Sequence, residues 1–138
     1  MKMLVVDDDL TTRIVLEAIL SRFGEVHSCM DGAEAVRVYC HALERNRPYD
    51  LICMDILMPT MSGLEALKLI RREEESRGWI RPRGAKVIIT TASDDSDTVH
   101  MAFNELCDAY VVKPIDQAEL LNMVYCLCHV IESDPAAR

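Results

Sequence analysis

Four apolar runs stand out along the chain, and each stops at a polar residue. Lys2 to Val6 runs into Asp7-Asp8-Asp9, Asp50 to Met54 into Asp55, Lys86 to Thr90 into Thr91, and Ala109 to Val112 into Lys113-Pro114. Short apolar runs bounded by turn signals read as strands buried on both faces of a parallel sheet. Glu25 to Cys29 is a fifth, weaker strand. Pro59 cannot donate to a sheet ladder and closes the region after Asp55.

Between these runs the apolar spacing becomes helical. Thr11 or Thr12 can cap a first helix with Ile14, Val15, Ala18 and Ile19 on its apolar side and Gly24 at its end. Asp31-Gly32 is a turn before a second helix, Ala33 to Glu44, carrying Ala35, Val36, Tyr39 and Leu43; Pro48 stops that region. Ser62 and Glu65 resemble a capping box ahead of Leu64, Leu67 and Ile70, and that helix runs into the charged stretch Arg71 to Arg77. Gly78 to Gly84 reads as an extended polar connection, and Asp94 to Asp97 as a polar break before a short helix, Val99 to Leu106. Asp116 caps a last helix to Ile131 with the stripe Leu120, Val124, Leu127 and Ile131.

Strand and helix alternate five times, which predicts an α/β fold: a parallel sheet with helices on both faces and right-handed crossovers. The expected arrangement is a flavodoxin-like doubly wound (βα)5 with strand order 2-1-3-4-5 and its switch point between the first and third strands. A single domain is expected over residues 1–131, with a frayed tail at 132–138.

Half of the residues are hydrophobic but only 5% are aromatic, so the core must be built from Val, Ile, Leu, Met and Ala. No apolar stretch approaches the roughly 20 residues of a membrane span, and acid follows Met1 too soon for a signal peptide. A soluble cytoplasmic protein is the expectation. The net charge of −8 argues against a direct nucleic-acid surface. The basic group Arg77, Arg81, Arg83 and Lys86 reads as a solvated loop. Cys29, Cys40, Cys53, Cys107, Cys126 and Cys128 lack the paired spacing of a structural zinc site and read as buried or incidental.

Side by side, parallel strands would bring Asp7, Asp8, Asp55, Thr90, Thr91 and Lys113 to one edge, with Asp8 and Asp55 facing each other across the crevice. Three carboxylates there repel, and a divalent cation relieves the repulsion. All-oxygen ligands, with no nearby His or Cys, favour Mg²⁺ or another hard ion. With Lys113 and the Thr91 hydroxyl, these residues make a pocket for a dianionic group on Asp55, and Asp is an established phosphoryl acceptor.

At this point the chain resembles a response-regulator receiver domain of two-component signalling, of the single-domain, chemotaxis-regulator-like kind. The likeness spans Met3 to Ile131. It rests on Val5-Val6-Asp7-Asp8-Asp9, on Met54-Asp55-Ile56-Leu57-Met58-Pro59-Thr60-Met61-Ser62-Gly63, on Thr91-Ala92, and on Tyr110-Val111-Val112-Lys113-Pro114. The resemblance implies that Asp55 is the phosphoacceptor. Asp7, Asp8 and Asp55 would hold Mg²⁺ together with the Leu57 backbone carbonyl. Thr91 would be the switch hydroxyl, Tyr110 the aromatic that follows it, and Lys113 the phosphoryl contact, with a cis Lys113-Pro114 bond. Leu57 and Ser93 occupy positions that tune phosphoryl lifetime; Leu57 cannot orient a water, which predicts slow self-dephosphorylation. The long connection from Arg71 to Lys86 resembles receivers fused to hybrid histidine kinases.

The implied partners are a sensor histidine kinase or histidine phosphotransfer protein and a downstream protein target, with no direct nucleic acid and no membrane. The implied protein is not an enzyme toward other substrates, though it assists its own phosphorylation and dephosphorylation. The switching surface would be the predicted helix at 99–106, the fifth strand and the last helix, with Val99 and Met123 as contacts and a phosphorylation-dependent dimer as one outcome. No output domain is expected after Ile131, so the chain acts through another protein or belongs to a longer one. A haloacid-dehalogenase-type phosphatase needs Asp-x-Asp, and the second position here is Leu57. A flavin or nucleotide module needs a phosphate cradle after the first strand, where three acids stand. A pseudo-receiver that only binds partners would not need Asp8, Asp55, Thr91 and Lys113 together.

Overall fold

A computed structural model describes residues 1–79, 84–92 and 106–133, with side chains to residue 127. Strands β1 (Lys2–Val6), β2 (Glu25–Cys29), β3 (Leu51–Asp55), β4 (Lys86–Thr91) and β5 (Ala109–Val112) form one sheet in the order β2-β1-β3-β4-β5. Every neighbouring pair is parallel. The described helices are α1 (Leu10–Leu20), α2 (Gly32–Glu44), α3 (Gly63–Ser76) and α4 (Gln117–Ser133). Residues 99–105 of the predicted helix, Val99 among them, the break at 94–97, Ser93 and residues 134–138 of the tail lie outside the described residues. The last helix runs two residues past Ile131, to Ser133.

Alternation along the central strands divides the core in two. Leu4, Val6, Ile52, Met54, Val87 and Ile89 face α2 and α3, where Tyr39, Leu43, Leu67 and Ile70 meet them. Met3, Val5, Leu51, Cys53, Ile88 and Val111 face α1 and α4, against Leu16, Leu20, Leu120 and Val124. Both faces of β3 and β4 are covered, which is why their sequences read as unbroken apolar runs.

The first helix differs from its sequence reading in two respects. Its cap is Asp9, whose carboxylate accepts the Thr12 amide at 3.2 Å and the Thr12 hydroxyl at 2.6 Å, so Thr12 is the donor and neither Thr11 nor Thr12 is the cap. Its buried face is Leu16, Ile19 and Leu20, while Ile14, Val15 and Ala18 are exposed. Two apolar stripes lie on this helix, and only one can meet the sheet. The helix also stops at Leu20; a 3-10 turn at Ser21–Phe23 intervenes before Gly24, which takes φ 151°. The caps read at Ser62 and Asp116 form, accepting from the Glu65 and Glu119 amides; Asp31, read only as part of a turn, is the cap of α2 and accepts from the Glu34 amide, so that helix starts at Gly32.

The charged stretch at the end of α3 is partly buried. Arg71 and Glu74 are buried, at 6% and 1% exposure. Arg71 bonds the Glu74 carboxylate at 2.8 Å, the Ala85 carbonyl at 2.7 Å and the Leu106 carbonyl at 2.8 and 3.0 Å. Glu74 also accepts the Tyr39 hydroxyl and the Ala85 amide. Asp108 lies 3.5 Å from Arg71 and takes the Val87 amide at 2.8 Å. This network ties α2 and α3 to the amino ends of β4 and β5.

Candidate phosphoryl and metal site at the carboxyl edge of the sheet

The strand register delivers the acids to one place. Met3 and Val5 on β1, and Leu51 and Cys53 on β3, point toward α1 and α4. Two residues on, Asp7 and Asp55 continue the same face at the carboxyl edge. The Asp7 amide donates to the Cys29 carbonyl at 3.2 Å, which extends the β1–β2 pairing by one residue and fixes the acid beside the strand end. Its carboxylate takes the Asp9 amide at 2.9 Å, and its carbonyl takes Arg13 at 2.7 Å. Because Asp9 supplies the helix cap, Asp7 and Asp8 are left for other work.

One oxygen from each of Asp7, Asp8 and Asp55 lies within 4.8 Å of the others. Asp7 is fully buried, Asp55 is 6% exposed, and Asp8 faces solvent. Lys113 reaches across from the end of β5, 2.8 Å from Asp7 and 3.4 Å from Asp55. Burial, and then the charge of Asp7, push the Asp55 carboxyl above the usual aspartate range, while Lys113 pulls the other way. Burial draws the Lys113 ammonium down, but its bond to Asp7 and the charge of Asp55 outweigh that and hold it above its ordinary value. The lysine therefore stays charged in a site that concentrates carboxylates.

The turn after β3 is shaped to approach the site closely. The Gly63 amide donates to the Ile56 carbonyl at 2.8 Å, and a Cβ at Gly63 would lie 2.2 Å from the Asp55 carbonyl oxygen. Only glycine lets α3 begin there. Thr60, at φ 66°, turns the chain between Pro59 and Met61. Leu57, just past Asp55, is 74% exposed.

Thr91 ends β4 at the same edge, 3% exposed, and its carbonyl accepts the Lys113 amide at 2.6 Å. Thr90 is the direct cross-strand neighbour of Asp55, and its buried hydroxyl makes no hydrogen bond. Tyr110 is half-buried on β5 against the α2–α3 core. The Lys113-Pro114 bond is cis. Met123 is half-buried on α4 and lines a shallow groove with Ala109 and Leu127. The cysteines described, Cys29, Cys40, Cys53, Cys107 and Cys126, are in the reduced form, with Cys29 and Cys53 buried.

The sequence reading missed the apolar residues that flank this edge. Leu10 and Ile14 on α1 are 60% and 56% exposed, and Met30, just past β2, is 58% exposed. The sequence puts Ile14 on the apolar side of the helix, and the Leu10–Ile14 spacing of one helical turn is the signal that joins Leu10 to it.

Comparison with known proteins agrees with this fold. The response regulator receiver domain family model matches residues 3–125. A probable histidine kinase 2 from Oryza sativa subsp. indica is 35% identical over 138 residues, covering 93% of this chain and 13% of that protein. The chain thus spans about an eighth of the length of this curated relative. The receiver domain of the sensor histidine kinase PA1611 from Pseudomonas aeruginosa PAO1, solved with a magnesium ion coordinated in its active-site cleft, has TM-score 0.74 at 27% identity, covering 93% of this chain and 97% of that one. The receiver domain of the Saccharomyces cerevisiae response regulator Ssk1, solved with the histidine phosphotransfer protein Ypd1, has TM-score 0.78 at 25% identity, covering 97% and 94%.

Proposed function

The chain belongs to the response regulator receiver domain family of two-component signalling, and from that premise we propose that Asp55 accepts a phosphoryl group from a phosphohistidine on a partner. The observation that carries the proposal is the bridging of Asp7 and Asp55 by Lys113 beside an exposed third acid, Asp8. In the transfer an Asp55 carboxylate oxygen attacks phosphorus, the phosphorus–nitrogen bond breaks, and the imidazole leaves and takes a proton from solvent. Lys113 keeps Asp55 ionised for the attack and neutralises charge on the incoming oxygens. The Thr91 hydroxyl binds a phosphoryl oxygen after transfer, and Tyr110 follows it.

The all-oxygen donor set fits a hard divalent cation. Asp7, Asp8 and Asp55, with the Leu57 carbonyl, are the groups that would hold Mg²⁺. Bound there, the cation supplies further neutralisation of the phosphoryl charge. The protein assists its own phosphorylation and is not an enzyme toward other substrates. Leu57 offers no group to orient an attacking water, so the phosphoryl group is long-lived.

The partner is a sensor histidine kinase or a histidine phosphotransfer protein. Leu10, Ile14, Met30 and Leu57 give it an apolar rim to dock on around the acidic centre. The charge placed on Asp55 then biases β5, α4 and the segment at 99–106 toward a downstream target or a second copy of the chain. The reduced cysteines fit a reducing cytoplasm. Among the described residues, no helix is long and apolar enough to cross a membrane.

The test is incubation with Mg²⁺ and a small acyl phosphate, read by intact mass. A gain of one phosphate that disappears in Asp55→Asn supports the reading. No gain, with a phosphohistidine donor failing as well, overturns it.

A further inference from the structure

A second charged site lies far from Asp55, against the edge strand β2. A groove of about 640 Å³ is lined by Lys2, His27, Arg37, His41, Arg45 and Arg47 over a floor of Val38, Ala42 and Tyr49. Four arginines and lysines thus converge on one concavity in a chain of net charge −8.

Packing does not require this arrangement. Arg37, His41 and Arg45 stand at successive four-residue steps along α2, so they form one stripe. Arg37 and Arg45 put two cations on that stripe, eight residues apart. The helix dipole favours basic groups in its last turn, which accounts for Arg45 and His41 but not for Arg37, two turns in. Among the described residues, the side chains of Arg37, His41 and Arg45 make no hydrogen bond or ion pair. Across the groove, Lys2 donates to the Arg47 carbonyl at 2.8 Å and lies 4.4 Å over the Tyr49 ring. Burial, and then the charge of Arg47, lower the Lys2 ammonium from its ordinary value. Glu25 touches the rim only loosely, 3.7 Å from His27 and 3.9 Å from Arg47. The Asp50 carboxylate takes the Lys2 amide at 2.8 Å, and the four cations outnumber these two acids.

We propose that this groove binds a small organic phosphate, with the dianionic head among Arg37, Arg45, Arg47 and Lys2 and an apolar body on Val38 and Ala42. Guanidinium forks match phosphate oxygens in pairs, and the volume suits a small ligand. A nucleic acid would have to run on over an acidic surface. The site is independent of Asp55, so its occupancy does not depend on the phosphoryl reading.

The test is amide NMR titration of the full chain with phenyl phosphate, without Mg²⁺, beside parallel titrations with inorganic phosphate and benzoate. Saturable shifts at Lys2, His27, Arg37, Arg45 and Tyr49 are expected, weakening with added salt. Benzoate, with one charge, binds more weakly, and inorganic phosphate, with no apolar body, also binds more weakly. The exposed double substitution Arg37→Ser/Arg45→Ser should weaken phenyl phosphate at least about tenfold; Asp55→Asn should leave it unchanged. Shifts confined to the Asp55 edge, no saturation, equal binding in the double variant, or equal binding of benzoate would each overturn the proposal.

Discussion

Replacing Asp55 by Asn should stabilise the metal-free protein. The carboxylates of Asp55 and Asp7 come within 4.8 Å, which at an effective dielectric constant of about 20 is a repulsion of about 3.5 kcal/mol. Lys113, 3.4 Å from Asp55, returns about 5 kcal/mol on the same scale. That margin of about 1.5 kcal/mol must cover removal from water of a carboxylate only 6% exposed, which costs several kcal/mol. Asp8 adds further repulsion. Ionised Asp55 is therefore a net liability, in the direction of its raised pKa. An amide keeps the shape, accepts from Lys113 and sheds the charge. The expected gain at neutral pH is on the order of 1 kcal/mol.

The sign with pH follows from linkage. A carboxyl whose folded value is raised binds its proton more tightly when folded. Its stabilising contribution is complete below the ordinary value of 3.8 and is lost as pH rises through the folded value. The gap between Asp55→Asn and the parent should thus open as pH climbs from near 4 and then stay level to neutrality. Urea unfolding in EDTA measures it. Mg²⁺ should reverse the order: at ten times its dissociation constant it stabilises the parent by about 1.4 kcal/mol, and the variant, short of one ligand, by less. An Asn variant equal to or less stable than the parent in EDTA at neutral pH would refute the reasoning, as would an equal response of both to Mg²⁺.

Three other outcomes follow from the geometry. Arg71→Met should cost about 3–5 kcal/mol in urea unfolding, because it strands a buried Glu74 charge and two carbonyls, and Arg71→Met/Glu74→Leu should recover part of the loss; a loss under about 1 kcal/mol would show that the network is not a buried ion pair in solution. Gly63→Ala should cost about 1–3 kcal/mol and slow phosphate uptake, since its Cβ meets the Asp55 carbonyl at 2.2 Å; unchanged stability and uptake would mean that the turn yields freely. Phosphoryl-Asp55 in the purified protein should outlast seconds, and Leu57→Asn should shorten its life; decay of the parent within seconds would remove Leu57 as the cause.

Much of this was readable from residues because strands buried on both faces announce themselves. Leu51 to Asp55 could be nothing else, and the shared edge of parallel strands then gathered Asp7, Asp8, Asp55 and Lys113. What a sequence cannot supply is the choice between equivalent surfaces. On α1 the stripe Leu10–Ile14 and the stripe Leu16–Ile19–Leu20 are equally apolar, and only the packed sheet decides which is covered. Arg71 and Glu74 could be read only as part of a charged run, because the partners that satisfy them, Tyr39, Ala85, Leu106 and Asp108, are far away along the chain. Nor did the alternating pattern say that Lys113 would sit nearer Asp7 than Asp55, which depends on angstroms rather than order.

The two ends of the sheet are held differently, and that difference gives the proposed switch a direction. At the amino end, Arg71 grips the carbonyls of Ala85 and Leu106, and Asp108 grips the Val87 amide, so β4 and β5 start from fixed points. At the carboxyl end, α3 is pinned too, by the Ser62 cap and by the contact of Gly63 with the Asp55 backbone. Charge added to Asp55 therefore cannot be relieved by shifting α3. Among the described residues, the groups left to respond are those at the upper ends of the last two strands: Lys113, 21% exposed in its side chain, the Thr90 hydroxyl without a partner, Thr91, and Tyr110 at the core margin. A strand anchored below and loaded above moves most at its loaded end, which puts the response on β5 and on α4 beside it.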